Sequence, residues 1–158
     1  EACCAGVIVR VRGCREVVAE DGLGARFLPR LGRLADRPYV WIPSIKAIAG
    51  DVNTYANVHV WTADSPTAAD RAAWIKRLDE MQALQPKTVV PGHQAGAYDL
   101  SPRVIEQTRT YLVTFEQNLK KAKNSGELIN AMKQAYPKLS GVDSLELGAK
   151  VATGEMKW

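Results

Sequence analysis

From Tyr39 onward, short apolar runs of strand length alternate with one stretch of helical period, and the rest of the chain is then helical in pattern. That order restricts the fold more than any other feature. Runs of a few apolar residues bounded by Gly, Pro, Ser or Asp read as buried strands, whereas apolar residues three and four apart read as amphipathic helix. Tyr39-Val-Trp-Ile42 is such a strand, stopped by Pro43-Ser44, and a second is expected over Ile45–Ala49 with a turn at Gly50-Asp51. Val58-His-Val-Trp61 is a further short apolar run. A helix follows, capped by Asp64 or Ser65 with Pro66 in its first turn; Trp74, Ile75, Leu78, Met81 and Leu84 make its inner face, and Pro86 ends it. Thr88-Val-Val90 then reads as a buried strand that delivers Pro91-Gly-His93.

The remainder predicts three helices. Ser101 caps and Pro102 opens the first, with Val104, Ile105, Tyr111, Leu112, Phe115 and Leu119 inward. Lys120, Lys121 and Lys123 near its end complement the helix dipole. Ser125 caps the next, which turns Leu128, Ile129, Met132 and Tyr136 inward and stops at Pro137. Asp143 and Glu146 stand in capping-box spacing at the start of the last, which runs to about Thr153-Gly154. Strands, helix, strand, then helices specify an α/β domain.

Residues 1–38 differ in character. They hold seven arginines and no lysine, whereas residues 39–158 hold ten lysines and four arginines. Glycines interrupt the segment repeatedly, and a strand near Gly6–Arg12 is the regular element expected there. The shift in usage fits an ordinary Arg-rich arm or a segment of separate origin, such as an out-of-frame reading of a GC-rich gene. The chain is therefore divided into an Arg-rich segment, 1–38, and an α/β unit, 39–158. Cys3, Cys4 and Cys14 all fall in the first segment with no CxxC pair, so neither a thiolate zinc site nor a redox motif is written there. They read as free thiols, with a bridge to Cys14 as the alternative in an exported protein.

Composition narrows the partners. With 158 residues, 46% of them hydrophobic and 24% charged, one sizeable core is expected. No apolar run approaches the ~18 residues of a membrane-spanning helix. No basic leader with a long hydrophobic segment opens the chain, so the expectation is a soluble protein, cytoplasmic or exported after processing. The net charge of +4 is spread along the sequence without an aromatic-basic module, which argues against a nucleic-acid partner.

Two strand ends carry the chemistry. Ile48-Ala-Gly-Asp51 and Thr88-Val-Val-Pro-Gly-His93 each end a buried strand in glycine followed by a metal-competent side chain. A carboxylate and an imidazole suit zinc, iron or manganese, and glycine beside each leaves room for the ion. In these stretches, with Asn57-Val-His-Val-Trp61 between them, residues 39–158 resemble the C-terminal half of a metallo-β-lactamase-superfamily hydrolase. The tail Ser144–Trp158 resembles those of bacterial members.

The resemblance implies an αββα sandwich of two similar halves, of which this chain holds one. It implies Asp51 as the aspartate bridging two metals and His93 as the last histidine ligand, with zinc or another divalent ion as cofactor. His59, close after that aspartate, reads either as a substrate-pocket residue or as an ordinary partly buried histidine, and Trp61 beside it either as core or as a wall of the pocket. The superfamily's His-x-His-x-Asp-His signature is absent, and residues 1–58 contain no histidine. A single chain would then hold a metal weakly. Half a sandwich also leaves one sheet face open to water, so a homodimer is expected to complete it. Two functions follow as expectations: a noncatalytic scaffold or remnant, or a metal-dependent hydrolase of an ester, lactone, amide or thioester whose site is assembled between chains. Gly92-His-Gln-Ala-Gly96 lacks the ending of a phosphate loop. Ser44, Ser65 and Ser101 have roles as turn or cap residues, which argues against a serine hydrolase.

Overall fold

The computed structural model describes residues 9–12, 16–19, 26–28, 37–49 and 52–158. The fold is mixed α/β. Its strands are Val9–Arg12 (β1), Glu16–Ala19 (β2), Arg26–Leu28 (β3), Tyr39–Ile42 (β4), Ala47–Ala49 (β5), Tyr55–Ala56 (β6), Thr88–Val89 (β7) and His93–Gln94 (β8). Its helices are Ala68–Ala83 (α1), Arg103–Leu119 (α2), Ser125–Ala135 (α3) and Val142–Ala152 (α4). Among the described residues the strands form a six-stranded sheet in the order β1-β2-β3-β4-β5-β7, antiparallel except for the β5–β7 pair. A second, two-stranded parallel sheet joins β6 to β8. No helix among the described residues is long and apolar enough to cross a membrane.

The expected strand at Tyr39–Ile42 is present. The next begins two residues later than its pattern suggests, because Pro43–Ile45 closes a 3-10 turn and Lys46 takes a left-handed conformation with φ of 50°. That reversal lets Lys46 accept from the Lys87 amide at 2.7 Å, which sets β7 in parallel register beside β5. Of the strand expected near Gly6–Arg12, residues 9–12 are β1, while 6–8 lie outside the described residues. The cysteines and the Gly50-Asp51 turn also lie outside them. The run Val58–Trp61 does not join a sheet. The His59 amide donates to the Ser140 carbonyl at 2.8 Å, so the run is tied to the α3–α4 connection through a lone bridge at Val58.

Alternation across the sheet separates two faces. Tyr39, Trp41, Ile48 and Val89 belong to the core that the helices complete with Trp74, Leu78, Met81, Ile105, Leu112, Phe115, Leu128 and Met132. Val40, Ile42 and Ala49 point the other way, are only partly buried and stand outside that core. The pairing register lines up positions Val11, Val17, Phe27, Val40 and Ala49 in one row across five strands, every one apolar.

Helix starts depart from the sequence reading for electrostatic reasons. α1 is capped by Thr67, not Asp64 or Ser65. The Thr67 hydroxyl accepts from the Asp70 amide and the Asp70 carboxylate accepts from the Thr67 amide, both at 3.1 Å, a full capping box. Asp64 is occupied by Arg37 instead. Asn124, not Ser125, caps α3, its side chain accepting from Glu127 at 2.9 Å. Ser125 donates its amide and hydroxyl to Glu155 at 2.7 and 2.6 Å. α4 starts one residue before Asp143, behind Gly141 in a left-handed conformation, so the expected box with Glu146 does not form and Asp143 serves the first turn. α2 begins at Arg103, whose amide donates to Ser101 Oγ at 3.3 Å.

Helix packing depends on one absent side chain. A Cβ at Gly148, in the middle of α4, would stand 2.1 Å from Thr62 Oγ1. That hydroxyl is buried without a partner. Gly148→Ala therefore loses about 1–3 kcal/mol in a urea titration, because overcrowding outweighs the better helix propensity of alanine. Adding Thr62→Ala restores part of that loss; strict additivity of the pair would contradict the contact.

Candidate functional site

A cleft of about 480 Å³ opens beside the two-stranded sheet, lined by Arg37, Val52, Tyr55, Trp61, Asp64 and His93. Local sequence explains how His93 reaches it. β7 is short, Pro91 cannot extend its ladder, and Gly92 allows the chain to turn into β8. The His93 amide then donates to the Thr54 carbonyl at 3.2 Å, and the residue pairs with Tyr55. The two rings stack with centroids 4.4 Å apart at 22°.

Arg37 forms the floor. It is buried, donates to the Val52 carbonyl at 2.8 Å and to Asp64 Oδ1 at 2.6 Å, and lies 3.8 Å above the Trp74 ring. Trp74 in turn donates its Nε1 to the Asn53 carbonyl at 3.0 Å. The guanidinium thus fixes the segment 52–55 against α1. Trp61 forms one wall and is backed edge-on by Trp158 at 5.1 Å.

The electrostatics hold His93 neutral. Loss of water lowers its pKa below the ordinary value, the Arg37 cation lowers it further, and Asp64 opposes both. Burial pushes the Tyr55 phenol up to about 12, so it stays protonated. A neutral imidazole is the form that ligates a metal or accepts a proton. Asp64, the other metal-competent group in the cleft, is already engaged by Arg37. Among the described residues no group of three or more His, Cys, Asp or Glu side chains is placed to hold an ion. The described donors, taken alone, do not make a metal site.

Of the residues singled out in the sequence, His93 and Trp61 share the cleft and Asp51 lies outside the described residues. His59 sits elsewhere. It is buried in the core, with Nδ1 3.0 Å from the Tyr111 hydroxyl and the two rings edge to face. Arg37, Tyr55 and Asp64 were not expected here. Asp64 was visible only as a helix-cap candidate, and Arg37 is one of seven arginines in a segment without periodicity. Compared with known proteins, the chain matches no protein-family model and no curated protein.

Two measurements test this description. Asp64→Asn leaves the buried Arg37 guanidinium without its counterion and is expected to cost about 3 kcal/mol or more, against about 1–3 kcal/mol for Arg37→Met, which removes the buried charge and leaves the part-exposed Asp64 to water, read by chemical denaturation. The pH dependence follows from His59, whose pKa is lowered by burial and then by the Lys133 charge. Above the ordinary value of 6.5 both folded and unfolded chains carry it neutral and stability is full. As the pH falls below that value the unfolded chain takes up the proton first, and stability drops until the folded form titrates. His59→Gln is expected to reduce that acid-side slope, leaving the contribution of His93, whose pKa is lowered in the same direction.

Proposed function

We propose that this chain is a metallo-β-lactamase-like half-domain that acts as a noncatalytic scaffold and is completed by a second copy of itself. The observation that carries this reading is the cleft floor. The cleft that holds His93 also holds the buried Arg37 guanidinium, and the carboxylate described there, Asp64, pairs with that cation. A fixed cation disfavours a second, divalent one at short range unless several anionic ligands surround it. The sheet face outside the helix-packed core supports the self-association. On it Val40, Ile42 and Ala49 are only partly buried, the register row of Val40 and Ala49 continues through apolar positions of β1, β2 and β3, and a second such face is the simplest cover for it.

A second reading draws on His93, which is neutral, exposed and next to Trp61. It is a metal-dependent hydrolase of an ester, lactone, amide or thioester, with His93 and Asp51 as zinc ligands and the remaining ligands from another chain. There the metal would polarise the carbonyl and supply hydroxide.

Native mass spectrometry of the chain purified without chelator, repeated with added zinc, separates the two. The scaffold predicts a dimer with no stoichiometric metal, which Val40→Lys shifts to monomer. A dimer that retains one or two zinc ions, and loses them in His93→Ala, would establish the hydrolase instead. A metal-free monomer would sink the proposed self-association.

A further inference from the structure

A second cavity, of about 360 Å³, lies on the other side of Tyr55 from the His93 cleft, between the 55–60 segment, α2 and the α3–α4 connection. Its volume falls at the small end of ligand sites. Three tyrosines line it: Tyr55, Tyr111 and Tyr136, with Val58 and Leu139. All three phenol groups already have hydrogen-bond partners in the protein. Tyr111 meets His59 at 3.0 Å, Tyr136 donates to Thr114 at 3.0 Å, and the Tyr55 hydroxyl is hydrogen-bonded with Arg37 and the Trp61 backbone. The tyrosines therefore contribute ring surface rather than donors.

Charge decides the occupant. Glu106, exposed on α2, is the one charged side chain among the lining residues; its Oε1 accepts the Thr110 hydroxyl at 3.1 Å, and its charge is also felt by Arg109. The two arginines nearest along α2 are committed elsewhere, Arg103 to Asp99 at 3.0 Å and Arg109 to Asp79 at 2.6 Å. Thr108 is also satisfied, donating to the Val104 carbonyl at 2.9 Å and accepting from the Tyr55 amide at 3.0 Å. A site with aromatic walls, engaged phenols and one carboxylate disfavours anions, while the exposed amides of Asn57 and Gln107 add neutral polar groups to its lining. Alkylated ammonium groups suit it, since ring quadrupoles attract a weakly hydrated cation and the carboxylate adds a net charge.

We propose that this cavity binds a small organic cation bearing an alkylated ammonium group, held against Tyr111 and Tyr136 and neutralised by Glu106. The site shares Tyr55 with the His93 cleft but requires neither His93 nor a metal.

The test uses the full chain and two probes of the same shape, choline and its neutral carbon analogue 3,3-dimethylbutan-1-ol, titrated by proton–nitrogen NMR. Choline is expected to give saturable shifts at the amides of 55–60 and 106–111, with the neutral analogue about tenfold weaker. Glu106→Gln, which keeps the Thr110 hydrogen bond, is expected to weaken choline by about tenfold with an otherwise unchanged spectrum. Tyr136→Leu is expected to weaken it as well; because that change touches packing, its spectrum is compared with the parent before binding is read. Equal binding of the two probes, an unchanged affinity in Glu106→Gln, or no saturable shift with choline would each overturn the proposal.

Discussion

The buried guanidinium of Arg37 is the constraint around which the cleft and the first helix are arranged. A charge this far from water is tolerated only when its donors are filled and a counterion is near. Here the Val52 carbonyl, the Asp64 carboxylate and the Trp74 ring supply those partners from three separate stretches of chain. Meeting them fixes where α1 can begin, because Asp64 is drawn to Arg37 and capping passes to Thr67. It also fixes the path of residues 52–55, hence the strand that receives His93. A second buried arginine repeats the device one turn into the helix. Arg71 pairs with Glu116 and donates to the Ser65 and Pro66 carbonyls at 2.8 and 2.9 Å, which holds α1 to α2.

The two faces of the six-stranded sheet have different relations to the rest of the chain. One completes the helix-packed core. The other carries Val40, Ile42 and Ala49 outside it, in line with apolar positions on β1, β2 and β3. Those strands come from the Arg-rich segment, yet they belong to one sheet with β4, which pairs with β3, and Arg37 from the same segment lines the cleft. Composition separates residues 1–38 from the rest, whereas backbone pairing joins the described parts of both. Tyr55 has a comparable double position, since its ring borders both cavities and its amide is held by Thr108 of α2.

Much of the fold was legible in the order of residues. Tyr39–Ile42, Thr88–Val89 and all four helices stand close to where pattern and punctuation put them, and Trp74, Leu78, Met81, Leu112, Phe115, Leu128 and Met132 are buried as their spacing implies. Caps were read less well. Ser65, Ser125 and Asp143 each have the chemistry of a cap, but a tertiary partner or a one-residue shift of the helix start assigned that role to a neighbour. Of the candidate site, the Pro-Gly-His turn and Trp61 were visible. His59 was visible as a histidine, but its sequence neighbours could not tell that Tyr111, 52 residues further on, would take its Nδ1.

What the sequence determined by itself is local: period, strand length, the stop signals at Pro43, Pro86 and Pro137, and an imidazole following glycine at the end of a buried strand. Those follow from torsional and packing preferences that act over a few residues. Only the tertiary structure decided which charges are buried and against what. Arg37 with Asp64, Arg71 with Glu116, His59 with Tyr111 and Tyr136 with Thr114 are pairings across long stretches of chain. Desolvation makes such pairings decisive, because an ionised or polar group removed from water must find its partner wherever the folded backbone has brought one.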